Sequence, residues 1–112
     1  MTIKDFPLEQ RIKFIKALLD AACGCKHDFE SLESGAIDEW EYQPDIHWYE
    51  AYGIKHALAI QCGEEACKKL SMFLGCFDDL TKDPECYSDD ELLEMLLDAF
   101  NVTEDDYEAR SY

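Results

Sequence analysis

The sequence predicts an all-α protein: one compact domain built as a bundle of about four helices. Three observations lead there. The chain has 112 residues, 47% of them hydrophobic. That is the length of a single domain, and it is enough to bury roughly 65% of the surface the unfolded chain exposes. Apolar residues recur at spacings of three and four along most of the chain, which is the period of a helix face. Alternation with period two occurs in one short run only, and one strand cannot make a sheet.

The first helix is predicted over "PLEQRIKFIKALLDAAC", where Leu8, Ile12, Ile15, Leu19 and Ala22 form one stripe. Pro7 suits the first turn, because the N–H it lacks has no helical partner there. Gly24 reads as the stop, with Lys26 and His27 at the negative end of the helix dipole. "CGCKHD" then lies on the exit from this helix. "DFESLESGA" follows as a short helical turn ended by Gly35. The alternation in "IDEWEYQPD", up to Pro44, predicts a short extended segment near 38–43.

A second helix is predicted from about Asp45 to Cys62, with Ile46, Tyr49, His56 and Ile60 on one side and Gly53 interrupting it. From Gly63 or Glu64, "EEACKKLSMFLGCFDDL" places Cys67, Leu70, Phe73 or Leu74, Phe77 and Leu80 on the buried face of a third. "TKDPEC" is a turn. Ser88, three residues before Glu91, is a capping box that opens the fourth helix. Leu92, Leu93, Met95, Leu96, Leu97 and Phe100 give that helix a broad apolar face. The acidic tail, 103–112, is expected to fray.

Charge is the outlier. The chain carries 26 acidic and 10 basic residues, a net charge of −16. The apolar content argues against disorder, so the expectation is a folded protein with a strongly negative exterior. Such a field repels nucleic acid and anionic membrane and attracts basic protein surfaces. The charge is also unevenly spread: residues 1–26 are net +2, residues 27–77 net −7 and residues 78–112 net −11. No apolar run reaches the ~18 residues of a membrane span, and the first residues lack the apolar stretch of a secretory signal. The expected location is therefore the cytoplasm, where the six cysteines would be reduced thiols.

Cys23, Cys25 and His27 are the candidate metal ligands. Structural zinc sites present ligands in pairs such as C-x₂₋₄-C, and neither Cys23-x-Cys25 nor Cys62-x₄-Cys67 matches. Buried thiols are the simpler expectation, and no metal or cofactor is implied. A reactive cysteine needs an electropositive setting, which this charge opposes. The loop "DDLTKDPECYSDDE" lacks the glycine a calcium loop requires at its sixth position.

Two constellations point to a protein partner. On the last helix Asp90, Glu94 and Asp98 stand four apart, a row spaced roughly 6 Å along the axis. Asp78, Asp79 and Asp89 precede it. Like charges at that spacing cost a few tenths of a kcal/mol per pair, and the row resembles the recurring charges of a phosphate backbone. The second is "EWEYQPDIHWYEAY", in which Trp40, Tyr42, Trp48 and Tyr49 are interleaved with acids; Trp and Tyr dominate interface hot spots.

The stretch from Ser34-Gly35 through Tyr42, Asp45 and Tyr49, with the apolar face around Leu70 and Phe73, resembles small acidic helical proteins of phages and plasmids. Some of these inhibit restriction or CRISPR enzymes. The resemblance implies an inhibitor and assigns no residue a role; together with the acidic row it leads to the expectation of a non-catalytic, anti-defence or immunity-type inhibitor acting by nucleic-acid mimicry. The partner expected is a basic protein, a nucleic-acid-binding enzyme. The alternatives are an adaptor or regulatory subunit binding through segment 40–52, and a small Cys/His metal-binding domain.

Overall fold

The computed structural model describes residues 2–110. A 3-10 turn at Ile3–Asp5 precedes helix α1, Leu8–Ser34; a second at Glu39–Glu41 precedes α2, Asp45–Cys62; a third at Glu65–Cys67 leads into α3, Lys68–Leu80. Helices α4, Asp89–Phe100, and α5, Glu104–Arg110, complete the chain. No strand occurs among the described residues, and the all-α bundle is as expected.

α1 is the spine. Its 27 residues span ~40 Å at the helical rise, which accounts for the long axis of a molecule measuring 44 × 29 × 20 Å. α2, α3, α4 and α5 all pack on it, and α3 joins α2 to α4. Ile12, Ile15, Leu18, Ala21, Ala22 and Cys25 form its buried stripe. They meet Leu70, Phe73, Phe77 and Leu80 of α3 and Leu92, Leu96 and Phe100 of α4 in one core. Phe14 stacks on Phe100 with centroids 5.8 Å apart, and Phe73 meets Phe77 edge-on at 5.6 Å.

α1 does not stop at Gly24. It continues to Ser34 and ends at Gly35, whose φ of 81° is the left-handed conformation that glycine accepts without strain. The N–H of Gly35 donates to the Leu32 carbonyl and that of Ala36 to Ser31. Gly24 serves packing instead. A Cβ there would lie 2.7 Å from the His47 ring of α2, so the bare backbone forms the notch in which that imidazole sits. "CGCKHD" is therefore the middle of a helix, at its crossing with α2.

The segment near 38–43 is likewise not extended throughout. Its centre is the 3-10 turn Glu39–Glu41, held by the Asp38 N–H donating to Glu41 Oε1 at 3.3 Å. Acids at positions three apart close a turn, whatever alternation the intervening residues show. α4 opens on the expected box: Ser88 N–H donates to Glu91 Oε1 at 3.2 Å and Glu91 N–H to Ser88 Oγ at 3.1 Å. After it, Asn101 takes the left-handed conformation with φ 54° and turns the chain into α5, so residues 104–110 are helical where a frayed tail was expected. Ser111 and Tyr112 lie outside the described residues.

Candidate functional site

Basic residues of segment 1–26 and the acidic last third meet across α1 and α4. Arg11 braces one end of α4: its Nη1 donates to the carbonyls of Phe100 (3.1 Å) and Asn101 (3.0 Å), and its Nε to that of Phe6 (3.1 Å). Those carbonyls are at the negative end of the helix, where a cation is favoured. Lys26 braces the other end, donating to Asp89 Oδ1 at 2.7 Å and to the Tyr87 carbonyl at 3.1 Å. Hydrogen bonding to Lys26 holds the Asp89 carboxyl below its ordinary range.

These contacts divide the predicted acidic surface. Asp89 belongs to the fold through Lys26. Asp98 pairs with Lys69 of α3 at 2.9 Å. Asp90 and Glu94 form no ion pair among the described residues; they face α5 across a cleft of about 260 Å³, lined also by Leu93, Leu97, Glu104, Tyr107 and Glu108. Four carboxylates from two helices thus share one concavity with an apolar floor, and among the described residues no basic side chain lines it. Glu104 and Glu108 are four apart on α5, so each helix contributes a pair with the same ~6 Å spacing.

Sequence reasoning missed the α5 half. The signal was present: Thr103 stands three before Asp106, and its Oγ1 accepts from the Asp106 N–H at 3.1 Å, an N-cap like that of Ser88. Val102 and Tyr107 supply the apolar contacts that dock so short a helix.

The aromatic segment separates into parts. Trp40, on its 3-10 turn, is 77% exposed. Tyr42 is half-buried; its hydroxyl donates to the Thr81 carbonyl at 3.4 Å and its ring meets Phe29 edge-on. Trp48 stacks on Tyr52 with centroids 5.0 Å apart and planes 15° apart, and Tyr49 abuts it edge-on. Trp48, Tyr49 and Asp78 come together in a second cleft, of about 310 Å³, with Pro44, Asp45, Phe77 and Thr81. Asp79 is exposed near the end of α3, where its backbone carbonyl accepts the N–H groups of Lys82 and Asp83.

The three candidate ligands on α1 do not converge. Cys25 is buried in the core, while Cys23, about 200° around the helix from it, donates its thiol to Asp89 at 3.7 Å. His27 lies one turn beyond Cys23 in a shallow depression that also holds Lys26 and Glu30, and the Lys26 ammonium already occupies the Asp89 carboxylate. Among the described residues, no group of three or more His, Cys, Asp or Glu is arranged to hold a metal ion. Burial pushes the Cys25 thiol up to about 11, with Asp28 and Asp45 adding to the effect, and it raises Cys23, Cys67, Cys76 and Cys86 as well. These thiols stay protonated at neutral pH, the opposite of an activated nucleophile.

Comparison of the chain with protein-family models, with curated proteins and with solved structures finds no match in any of the three. The resemblance to phage and plasmid proteins therefore rests on the quoted residues alone. Among the described residues, no helix is long and apolar enough to cross a membrane.

Proposed function

We propose that this is a non-catalytic acidic protein of anti-defence or immunity type, which inhibits a nucleic-acid-binding enzyme by occupying the basic surface that enzyme offers to nucleic acid. One observation carries the reading: Asp90, Glu94, Glu104 and Glu108 share a single cleft that no described cation enters. The fold compensates its neighbours Asp89 and Asp98 with lysines. It leaves these four to repel one another, a cost that a basic partner would reverse.

The cleft offers what a lysine- or arginine-lined channel recognises. Its paired carboxylates recur at a spacing comparable with phosphates, and Tyr107, Leu93 and Leu97 give an apolar floor that excludes water when covered. The net charge of −16 would steer encounter, so association should be fast and should slow as salt rises. Asp89, Asp98 and Tyr42 leave the contact set, since each already has a partner within the chain.

The test is Glu94→Lys with Glu108→Lys, read as binding to the captured partner and as competition with nucleic acid. Loss of both, with circular dichroism unchanged, supports the reading. Binding equal to that of the unaltered protein refutes it.

A further inference from the structure

The second cleft, of about 310 Å³, lies between the start of α2 and the end of α3. Trp48 and Tyr49 both line it, with ring centroids 5.1 Å apart and planes 78° apart, so two aromatic surfaces meet there in a corner. Phe77, which is buried, closes the floor. Asp45 and Asp78, both exposed, supply one carboxylate from each helix.

The two carboxylates differ in their local reason to be there. Asp45 stands in the first turn of α2, where the helix dipole favours an acid. Asp78 stands in the last turn of α3, where the dipole opposes one, and no basic residue occupies that turn. Neither carboxylate forms an ion pair or a side-chain hydrogen bond among the described residues. Nothing within the chain offsets the placement of Asp78. A cation seated in the cleft would answer both that carboxylate and the negative end of the helix.

The walls decide which cation. A hard metal ion takes several oxygen ligands at ~2.0–2.6 Å, and aromatic rings offer it none. An organic cation is attracted to ring faces by their quadrupole. An arginine guanidinium is planar and weakly hydrated; it stacks on aromatic rings and forks onto a carboxylate, which an ammonium cannot do. The volume lies at the lower end of small-ligand sites, which suits a single side chain. The field of a chain of net −16 draws such a group in. We propose that this cleft is an arginine-recognition pocket, in which an arginine side chain of a protein partner lies against Trp48 and Tyr49 and donates to Asp78, with Asp45 beside it. The inference takes from the proposed function only the basic character of the partner, and the pocket shares no residue with the α4–α5 cleft.

An NMR titration of the full chain tests it, read at the Trp48 indole N–H and assigned with Trp48→Phe. The probes are an amide-capped glycyl-arginyl-glycine tripeptide and its citrulline counterpart, which keeps the shape and loses the charge. At about 0.15 M salt, where screening acts over ~8 Å, the arginine peptide should shift the Trp48 resonance saturably. The citrulline peptide should bind about tenfold more weakly. Asp78→Asn should weaken the arginine peptide about three- to fivefold. Asp79→Asn, the same charge change one residue away and outside the cleft, should weaken it less than about twofold. The Glu94→Lys, Glu108→Lys protein should still bind the peptide, so failure of this pocket and failure of the α4–α5 cleft are told apart. Absence of a Trp48 shift, equal binding of the arginine and citrulline peptides, or an Asp78→Asn variant that loses no more than Asp79→Asn would each overturn the proposal. Free arginine binding more tightly than the peptide would also overturn it, by assigning the cleft to a small metabolite.

Discussion

α1 holds its two principal neighbours by different means. Toward α2 a steric notch comes first: Gly24 leaves room for the His47 ring, and Asp28 of α1 then holds that ring, with His47 Nε2 2.7 Å from Asp28 Oδ2. Toward α4 the fit is electrostatic: Arg11 and Lys26 grip opposite ends of one short helix. The difference shows where the charge asymmetry of the chain is spent. Part of the acid in the last third, Asp89, is the counterpart of Lys26 on α1 and serves folding. The part that faces α5, Asp90 and Glu94, forms no ion pair with those cations; it is the part proposed to meet a partner.

Arg11→Ala should break the electrostatic side most severely, by about 2–3 kcal/mol in urea unfolding, because it strands helix-terminal carbonyls that a charged donor had satisfied. Arg11→Lys should recover only a minor share, since an ammonium cannot reproduce the guanidinium fork. A loss from Arg11→Ala well under 1 kcal/mol would remove Arg11 as a brace. Next in size is Gly24→Ala. Crowding the His47 ring costs ~1–3 kcal/mol, against at most ~1 kcal/mol gained in helix propensity, so a net loss is expected. Adding His47→Ala should relieve it. A Gly24→Ala variant more stable than the parent would contradict the steric account.

Acid titration isolates the Lys26–Asp89 pair. The folded-state pKa of Asp89 lies below its ordinary 3.8. Its contribution is therefore complete above that value and is lost as pH falls through the lower, folded one. Unfolding followed from pH 6 to about pH 2 should show the parent losing more stability than Asp89→Asn. The difference should stay under ~1 kcal/mol, because the pair is solvent-screened; identical acid curves would refute the Lys26–Asp89 contribution. The smallest effect is opposite in sign. Glu94→Gln removes a like-charge contact and should stabilise the fold by a few tenths of a kcal/mol, whereas Asp98→Asn, which loses Lys69, should not.

Helix ends with local chemistry were legible in the sequence. Ser88 with Glu91 marked α4, and the bounds Asp45 to Cys62 of α2 are as expected. Gly24 was misread because its role is tertiary: the residue that needs the space, His47, is 23 positions away and no local pattern announces it. The row Asp90, Glu94, Asp98 was legible as a row. Its division was not, since Lys69 claims Asp98 only when α3 packs on α4. α5 was legible in principle from Thr103 and Asp106, but a run of acids suggested fraying, and so the opposing wall of the cleft went unread.

If the α4–α5 cleft occupies a basic protein surface as proposed, it competes with nucleic acid for that surface. The most direct test is to immobilise the protein, capture its partner from the native host and add nucleic acid to the bound complex. Nucleic acid should release the partner, and Glu94→Lys with Glu108→Lys should capture none. A partner that stays bound under saturating nucleic acid, or that binds the double variant equally well, would contradict the proposal.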